Sequence, residues 1–217
     1  SGDIHSTFES LQNQFAAGLN MGIAGIPWWT TDIGGFFGAN IYDESYHEVF
    51  VRWFEYGAFC PVMRLHGYRM PYQPQFGTTG GAECVSGAPN EIWSYGDQVY
   101  EICKKYITIR ETMRPYTREL MKAAHEKGTP VMRPLFYDFP EDAVCWDNEK
   151  EFMYGPNILV APVMERGEKT KEVYLPAGTR WTNVWTKEAF DGGQTVTVAT
   201  PLDQIPLFTR EGYTLEV

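Results

Sequence analysis

The chain has 217 residues, enough for one large domain or two small ones with a substantial core. Hydrophobic residues make up 43% and charged residues 21%, a globular composition that excludes collagen, coiled coils and intrinsic disorder. The net charge of -10 argues against a phosphate-neutralising surface, so nucleic acid is not an expected partner. No apolar run approaches the roughly 20 residues that cross a bilayer, so no membrane partner is expected either.

Four cysteines are spread along the chain without a Cys-x-x-Cys pair or a histidine at zinc-ligand spacing. They are Cys60, Cys84, Cys103 and Cys145. Because cysteine is among the most buried residue types, we expect these thiols to be reduced and mostly core-facing. Reduced thiols fit a cytoplasmic location, which is the localisation that we predict.

The first half of the chain alternates helical and strand-like patterns. This prediction depends on apolar residues at helical spacing, on the Ser-x-x-Glu capping box that begins at Ser6, and on short β-prone runs. The predicted elements are a helix from Ser6 to about Met21, a strand over Ile26–Thr31, a helix over Ser45–Phe59, a strand over Pro61–Arg64, an aperiodic loop over Gly67–Asn90, and helices over Ser94–Thr112 and Pro115–Lys127. A loop of that length is uncommon in a compact domain and usually functional.

After Gly128 the pattern changes to short β-type runs separated by turns, without an intervening helix. The runs are Val131–Phe139, Ile158–Val163, Glu172–Leu175, Trp181–Trp185, Thr195–Ala199 and Pro206–Thr209. We therefore predict a β/α domain over residues 1–128 and an antiparallel β-sandwich over residues 129–217. Two strands cannot form a stable parallel sheet alone, so the first domain is expected to be the end of a barrel or a doubly wound domain.

Charged and aromatic residues follow the predicted strands of the first half. In a β/α barrel the catalytic groups lie at the C-terminal ends of strands, which here gives Asp3, Asp32 with Phe36, and Arg64 with His66. Two acids, an arginine and a histidine that converge on one mouth suit glycoside chemistry. One carboxyl group protonates the leaving oxygen, and the other groups hold the sugar hydroxyls.

These candidates also have structural interpretations. Asp32 could cap a turn, and a single histidine such as His66 is more often a satisfied structural side chain than a catalyst. Trp28 and Trp29 have flat faces that could stack on a sugar ring, but at least one of the two is expected to belong to the core. The sequence pattern alone leaves these alternatives open.

The chain also resembles a known family at these positions. The stretch WWTTDIGGF, which is Trp28–Phe36, resembles the signature of glycoside hydrolase family 31, the α-glucosidases and α-xylosidases. Further similar motifs are Val51-Arg52-Trp53, Gly57-Ala58-Phe59, Arg64-Leu65-His66-Gly67, Pro134-Leu135-Phe136, Leu159–Val163, Val173–Gly178 and Pro201–Leu207. The resemblance covers nearly the whole chain except about Tyr68–Asn90. It implies the C-terminal portion of a (β/α)8 TIM barrel followed by an antiparallel β-sandwich.

The resemblance implies a role for each candidate residue. Asp3 matches the aspartate of the Gly-Asp pair that is the family's general acid/base, 29 positions before Asp32. Asp32 and Phe36 match a carboxylate and an aromatic wall of the subsite for the non-reducing sugar. Arg64 and His66 match residues that pair with that aspartate and contact sugar hydroxyls. The substrate-binding candidates are Asp32, Phe36, Arg64, His66 and Trp29, and no metal or organic cofactor is implied.

The family's nucleophilic aspartate lies on an earlier barrel strand, and nothing in this sequence corresponds to it. Retaining hydrolysis requires two carboxyl groups about 5 Å apart. We therefore expect a fragment of a retaining α-glycosidase for terminal α-linked glucosyl or xylosyl residues, inactive unless the missing N-terminal part of the same enzyme is supplied. An oligosaccharide or glycoside is the expected substrate. The residues of these motifs are somewhat closer to those of the α-xylosidases.

Two other functions remain open on the sequence. The aromatic content of 15% and the missing nucleophile also fit a non-catalytic carbohydrate-binding or accessory module. A structural or oligomerisation domain would need the sandwich half alone, but it gives no reason for the candidate residues to fall at strand ends. Barrel strands without neighbours expose apolar surface, so self-association is expected.

Overall fold

Helices dominate the first half of the molecule and strands the second. The computed structural model describes residues 2–217 and contains five α-helices and eleven short strands in that range. The helices are α1 Phe8–Ile23, α2 Glu44–Ala58, α3 Asp97–Thr112, α4 Arg114–Lys127 and α5 Leu135–Asp138. The strands are β1 Ala39–Asn40, β2 Arg69–Gln73, β3 Ser86–Ala88, β4 Met132–Arg133, β5 Phe152–Tyr154, β6 Ile158–Val160, β7 Thr170–Leu175, β8 Arg180–Asn183, β9 Ala189–Asp191, β10 Gln194–Ala199 and β11 Leu207–Arg210.

Helix α1 is capped by Thr7. The hydroxyl of Thr7 accepts a hydrogen bond from Ser10 N at 3.1 Å, which satisfies one of the N–H groups left free in the first helical turn. The capping box predicted at Ser6 is therefore wrong by one residue. The reason is that Ser6 N donates to Phe37 O at 3.0 Å, which holds Ser6 in the segment before the helix.

The other three long helices confirm the predicted ones closely. Helix α2 begins one residue earlier than predicted because Asp43 caps it, accepting from Ser45 N at 2.9 Å. Helix α3 begins at Asp97, since the preceding residues Ile92–Tyr95 form a 3-10 turn. Gly128 ends α4 with a φ of 69°, a left-handed conformation that glycine adopts without a steric penalty.

The two strands predicted on either side of α2 are extended segments that form no regular ladder among residues 2–217. We call Ile26–Ile33 segment A and Pro61–Tyr68 segment B. Val62 N donates to Trp29 O at 3.1 Å, and Ile33 N donates to Arg64 O at 3.3 Å. Both bonds advance in the same direction along the two segments, so the segments run parallel.

Alternate residues of segments A and B face opposite sides, as in any extended chain. The helix-facing side contains residues that pack on α1 and α2 or join the apolar core: Trp29, Thr31, Ile33, Met63 and Leu65. The opposite side, which we call the open face, contains Ile26, Trp28, Thr30, Asp32, Val62, Arg64 and His66. Trp28 is 53% exposed and Val62 is 39% exposed, so the apolar residues of this face are only partly covered.

The segment predicted as an aperiodic loop contains a small hairpin. Strands β2 and β3 pair antiparallel, and β1 pairs with β2 in parallel, which gives the sheet order β1-β2-β3. The backbone N–H of Tyr68 also donates to Phe36 O. The hairpin is therefore attached directly to the residues that follow segment A.

The second half contains two antiparallel sheets. Within the described residues, one has six strands in the order β4-β5-β6-β11-β8-β9, and the other pairs β7 with β10. The strand predicted over Val131–Phe139 is wrong after Arg133, because Pro134 lacks the N–H of a ladder residue and helix α5 begins immediately after it. Strands β5 and β9 were not predicted.

The inner strands β5, β6 and β11 of the six-stranded sheet are buried on both faces. In β5, Phe152 and Tyr154 belong to an apolar cluster shared with α1–α4, whereas Met153 belongs to a second cluster. Strands β6 and β11 divide their residues in the same alternating way. The second cluster also contains Val173 of β7 and Trp181 of β8, so it joins the two sheets. Because the first cluster contains residues from both halves, a domain division at residue 128 stays a prediction.

A buried polar network fixes α2 to the second half. Arg52 donates to three main-chain carbonyls and forms an ion pair with Glu55 at 3.0 Å. The acceptors are Thr200 O at 2.7 Å, Pro201 O at 3.1 Å and Gln204 O at 3.3 Å. Burial raises the pKa of Glu55 to about 7, and the Arg52 guanidinium opposes that rise.

The four cysteines are free thiols. Three of them are buried, and Cys84 is exposed, which confirms that the thiols are mostly core-facing. Burial raises the pKa of Cys60 and of Cys145 to about 12 and so disfavours their thiolate forms. Among residues 2–217, no helix is both long and apolar enough to cross a membrane.

Candidate active site

Four of the predicted site residues form two contacting pairs at one end of the open face. The carboxylate of Asp32 is almost completely buried and is paired with Arg64, whose side chain is 44% exposed. The ring of Phe36 lies 5.5 Å from the ring of His66, measured between centroids. Each pair joins a residue at or just after the end of segment A to a residue of segment B. The structure therefore brings these four side chains to one mouth, as the sequence predicts.

Asp3 is exposed beside this cluster. The carbonyl of Ile4 accepts hydrogen bonds from the backbone N–H groups of Phe36 at 2.8 Å and Phe37 at 3.2 Å, and His5 bridges Phe37 in parallel. The backbone thus places Asp3 next to a residue that is bonded directly to Phe36. Asp3 itself is exposed to solvent.

The turn Asp32–Phe36, which we call the mouth turn, is held from behind by two buried side chains that the sequence analysis missed. Arg69 donates to three carbonyls of the turn, and the hydroxyl of Tyr46 donates to a fourth, Gly34 O, at 2.9 Å. The acceptors of Arg69 are Ile33 O at 3.2 Å, Gly35 O at 2.8 Å and Phe36 O at 3.1 Å. These bonds satisfy the carbonyls of four successive residues and so fix the backbone that carries Asp32 and Phe36.

Arg69 is fully buried, and its hydrogen-bond acceptors are neutral oxygens. Besides the three carbonyls, its Nε donates to the hydroxyl of Tyr95 at 3.0 Å, and its guanidinium lies 5.5 Å from the centre of the Tyr46 ring. A buried cation is costly unless its donors are satisfied, so the hydrogen bonds of Arg69 to the mouth turn stabilise both the cation and the turn. Arg69 occupies the same alternate positions of the chain as the core-facing Met63 and Leu65. A basic residue at a core-facing position predicts that buried hydrogen-bond acceptors surround it.

The two glycines of the mouth turn allow close approach of its neighbours. Gly34 and Gly35 have φ values of 84° and 78°, in the region that favours glycine. A Cβ on Gly34 would lie 2.5 Å from the hydroxyl oxygen of Tyr46, and one on Gly35 would lie 2.5 Å from Ser6 Cα. The Gly-Gly pair is therefore required by the packing of the turn between α2 and the segment at Ser6.

Trp29 does not join the cluster. Its indole packs against α1 so closely that a Cβ on Gly18 would lie 2.7 Å from the indole nitrogen. Trp29 is on the helix-facing side of segment A, whereas Asp32 is on the open face. The expectation that one of the two neighbouring tryptophans belongs to the core is confirmed for Trp29, while Trp28 remains on the open face.

The cluster offers the chemistry that a sugar ring requires. A charged pair supplies strong hydrogen-bond donors and acceptors for hydroxyl groups, and an aromatic ring supplies an apolar surface for the C–H face of the ring. In the part of the chain that the structure describes, no group of three or more His, Cys, Asp or Glu side chains is arranged to hold a metal ion. The site is thus built from polar and aromatic groups.

Two family models match the chain. Residues 1–120 match the glycosyl hydrolases family 31 TIM-barrel domain, and residues 128–215 match the glycosyl hydrolase family 31 C-terminal domain. Together the two matches include all the candidate site residues and most of both sheets of the second half.

Similar proteins carry the same family assignment. An α-xylosidase of Saccharolobus solfataricus is 39% identical over 99% of this chain and 27% of its own length, and α-glucosidase 2 of Bacillus thermoamyloliquefaciens is 33% identical over 98% and 24%. A family 31 α-xylosidase from a soil metagenome, solved in complex with xylose, is 52% identical and superposes with a TM-score of 0.95 over 99% of this chain and 32% of that protein. The chain therefore spans about a quarter to a third of these relatives. It belongs to glycoside hydrolase family 31, with a portion of the TIM-barrel domain and a C-terminal domain of mostly antiparallel sheets.

Proposed function

We propose that the chain supplies the acid/base residue and the sugar pocket of a retaining α-glycosidase that hydrolyses terminal α-linked xylosyl or glucosyl residues. The observation that carries this proposal is the pairing at the mouth, where Asp32 contacts Arg64 and Phe36 contacts His66. A terminal sugar fits this arrangement because its hydroxyls bind the charged pair and its ring lies against Phe36.

Asp3 acts on the glycosidic oxygen in this proposal. In the first step its carboxyl group donates a proton to that oxygen while the bond to the anomeric carbon breaks and a second carboxylate attacks the same carbon. In the second step the Asp3 carboxylate takes a proton from the water that displaces the second carboxylate. Because the two carboxyl groups must lie about 5 Å apart, we place the second one on another strand of the same barrel.

The open face supports a role for further barrel strands. Ile26, Trp28 and Val62 are apolar and exposed there, and layers of such side chains fill the interior of a (β/α)8 barrel. We therefore propose that segments A and B are barrel strands, that the two sheets of the second half form a β-sandwich, and that the active unit is a longer protein containing this chain, which we call the complete enzyme.

The names of the relatives favour an α-xyloside as substrate. The soil-metagenome structure and the Saccharolobus relative are named α-xylosidases, whereas the Bacillus relative is named an α-glucosidase. We propose a terminal α-xylosyl residue as the preferred group and a terminal α-glucosyl residue as the second choice.

The test is turnover of nitrophenyl α-xyloside and α-glucoside by the complete enzyme. Asp3→Asn is expected to lower kcat by about 100-fold or more, because the water that displaces the second carboxylate loses its general base. Glu119→Gln, which changes an exposed carboxyl group on α4, is the matched control and is expected to retain activity. Near-normal turnover by the Asp3→Asn enzyme would remove Asp3 from its role.

A binding module would give a different result. Calorimetric titration of the isolated chain with xylose, isoprimeverose and maltose measures binding that requires no completed barrel. Tight binding by the isolated chain, together with absence of turnover by the complete enzyme, would replace the glycosidase proposal with a carbohydrate-binding one.

A further inference from the structure

The open face continues past the pocket along segment B. Residues on the core side of this segment include Met63, Leu65 and Gly67, and a Cβ on Gly67 would lie 2.3 Å from Arg69 Nη1. Arg64 and His66 lie between these residues on the open face, and Tyr68, the next residue of that alternation, extends the open face by one position. Since two residues of extended chain span about 6 to 7 Å, Tyr68 follows His66 at a distance that suits the next sugar along a chain rather than the same one.

Tyr72 stacks on Tyr68. Their ring centroids are 4.7 Å apart, with an angle of 23° between the ring planes. Tyr68 packs against β3, since a Cβ on Gly87 would come within 3.0 Å of its ring, and its hydroxyl donates to Val85 O just before that strand at 3.2 Å. Tyr72 is 51% exposed, so Tyr68 supports one side of Tyr72 while much of its surface stays open.

The stacked pair is held rigidly relative to the pocket. Tyr68 N donates to Phe36 O, and Ile41 N donates to Met70 O at 3.1 Å. Arg69, between the two tyrosines, is the residue that binds the carbonyls of the mouth turn. The position of the tyrosine pair is therefore coupled to that of Phe36 and Asp32 through short main-chain links, which is the preorganisation that a binding subsite requires.

We infer that Tyr72, supported by Tyr68, is the platform on which the leaving-group sugar of an oligosaccharide stacks. An exposed aromatic ring with its other side already supported binds the apolar face of a pyranose without further ordering of the side chain. The inference rests on the proposed function, because it places the leaving group next to a terminal sugar held by Phe36 and His66. Tyr72 is a specificity-determining residue in this account, not a catalytic one.

The experiment compares two substrates of the complete enzyme that share the terminal sugar and differ in leaving group. Isoprimeverose has a sugar as leaving group, and α-xylosyl fluoride has a single atom that cannot reach Tyr72. Tyr72→Ala is expected to lower the ratio of kcat/KM for isoprimeverose to kcat/KM for the fluoride by about 3- to 10-fold, the effect of losing one aromatic contact. Tyr72→Phe keeps the ring and is expected to restore the ratio to within about 2-fold.

Trp146→Ala is the matched control, because Trp146 is also an exposed aromatic residue but lies in the second half. It is expected to leave the ratio of the two kcat/KM values at the wild-type value. An unchanged ratio for Tyr72→Ala, or an equal fall for Trp146→Ala, would overturn the inference. If the wild-type enzyme hydrolyses neither substrate, the proposed function itself fails and the subsite fails with it, so the two failures are distinguishable.

Discussion

The two halves of the molecule cover their extended chains differently. In the second half, strands β5, β6 and β11 have neighbours on both sides and apolar clusters on both faces. In the first half, segments A and B share two hydrogen bonds and are packed on their helix-facing side, while the open face exposes Trp28 and Val62. The inner strands of the second half are thus covered on both faces, whereas the candidate site residues lie on a face of the first half that is partly exposed.

The largest difference in stability is expected between alanine variants of one tryptophan from each half. Trp181 is fully buried, and its indole N–H donates to Pro176 O at 2.9 Å, whereas Trp28 is half exposed. Trp181→Ala is expected to lower the free energy of unfolding by about 3–5 kcal/mol, because it leaves a large cavity and an unpaired carbonyl. Trp28→Ala is expected to cost less than about 1 kcal/mol. Urea denaturation measures both values, and equal losses would contradict the comparison.

A buried acid in the second half gives a pH-dependent effect of intermediate size. Burial raises the pKa of Glu151 to about 7, above its ordinary value of 4.5, although its Oε1 accepts a hydrogen bond from Tyr174 N at 2.8 Å. Between those two pH values the unfolded chain loses the proton while the folded chain retains it, so the stability of the protein falls as the pH rises and levels off above about pH 7.

Glu151→Gln removes this dependence. The free energy of unfolding of the variant minus that of the wild type is expected to be roughly 2 kcal/mol larger at pH 8 than at pH 5. The measurement is urea denaturation at the two pH values, with the exposed neighbour Glu149→Gln as control. A pH dependence identical to that of the wild type would show that the Glu151 carboxyl group is not held neutral by burial.

The smallest effect concerns the open face. If its apolar residues remain uncovered, the isolated chain is expected to self-associate, because exposed apolar patches favour association. Val62→Lys is expected to weaken that association about 10-fold, whereas Val144→Lys, an exposed valine of the second half, is expected to leave it unchanged. Sedimentation velocity over a range of protein concentrations measures the self-association of the wild-type chain and of both variants. A wild-type chain that stays monomeric throughout would contradict an open apolar face in solution.

Much of the fold could be predicted because its signals are local. The α2, α3 and α4 helices follow from periodic apolar residues, and Gly128 ends α4 through a conformation that depends on that residue alone. The hairpin of β2 and β3 was missed because it depends on pairing with β1 and on the contacts of Arg69, none of which leaves a periodic pattern. The strand predicted over Val131–Phe139 is too long because Pro134, which has no N–H for a ladder, ends β4 at Arg133.

The candidate site was predicted in part. The convergence of Asp32, Phe36, Arg64 and His66 follows from placing chemistry at strand ends, and the structure brings the four residues together. Their partners within the cluster depend on the register between segments A and B, which the sequence does not reveal. The side of Trp29 could have been predicted by counting three residues back from Asp32, since an odd number of steps in an extended chain reverses the side.

In the proposed mechanism, Asp3 protonates a leaving group at the mouth built by the paired residues. The most direct test is the kcat/KM of the Asp3→Ala complete enzyme with isoprimeverose and with α-xylosyl fluoride. We expect a fall of about 100-fold or more for isoprimeverose, whose leaving oxygen needs a proton, and a fall of less than about 10-fold for the fluoride, which leaves without one. Equal falls for the two substrates, or no fall for isoprimeverose, would contradict it.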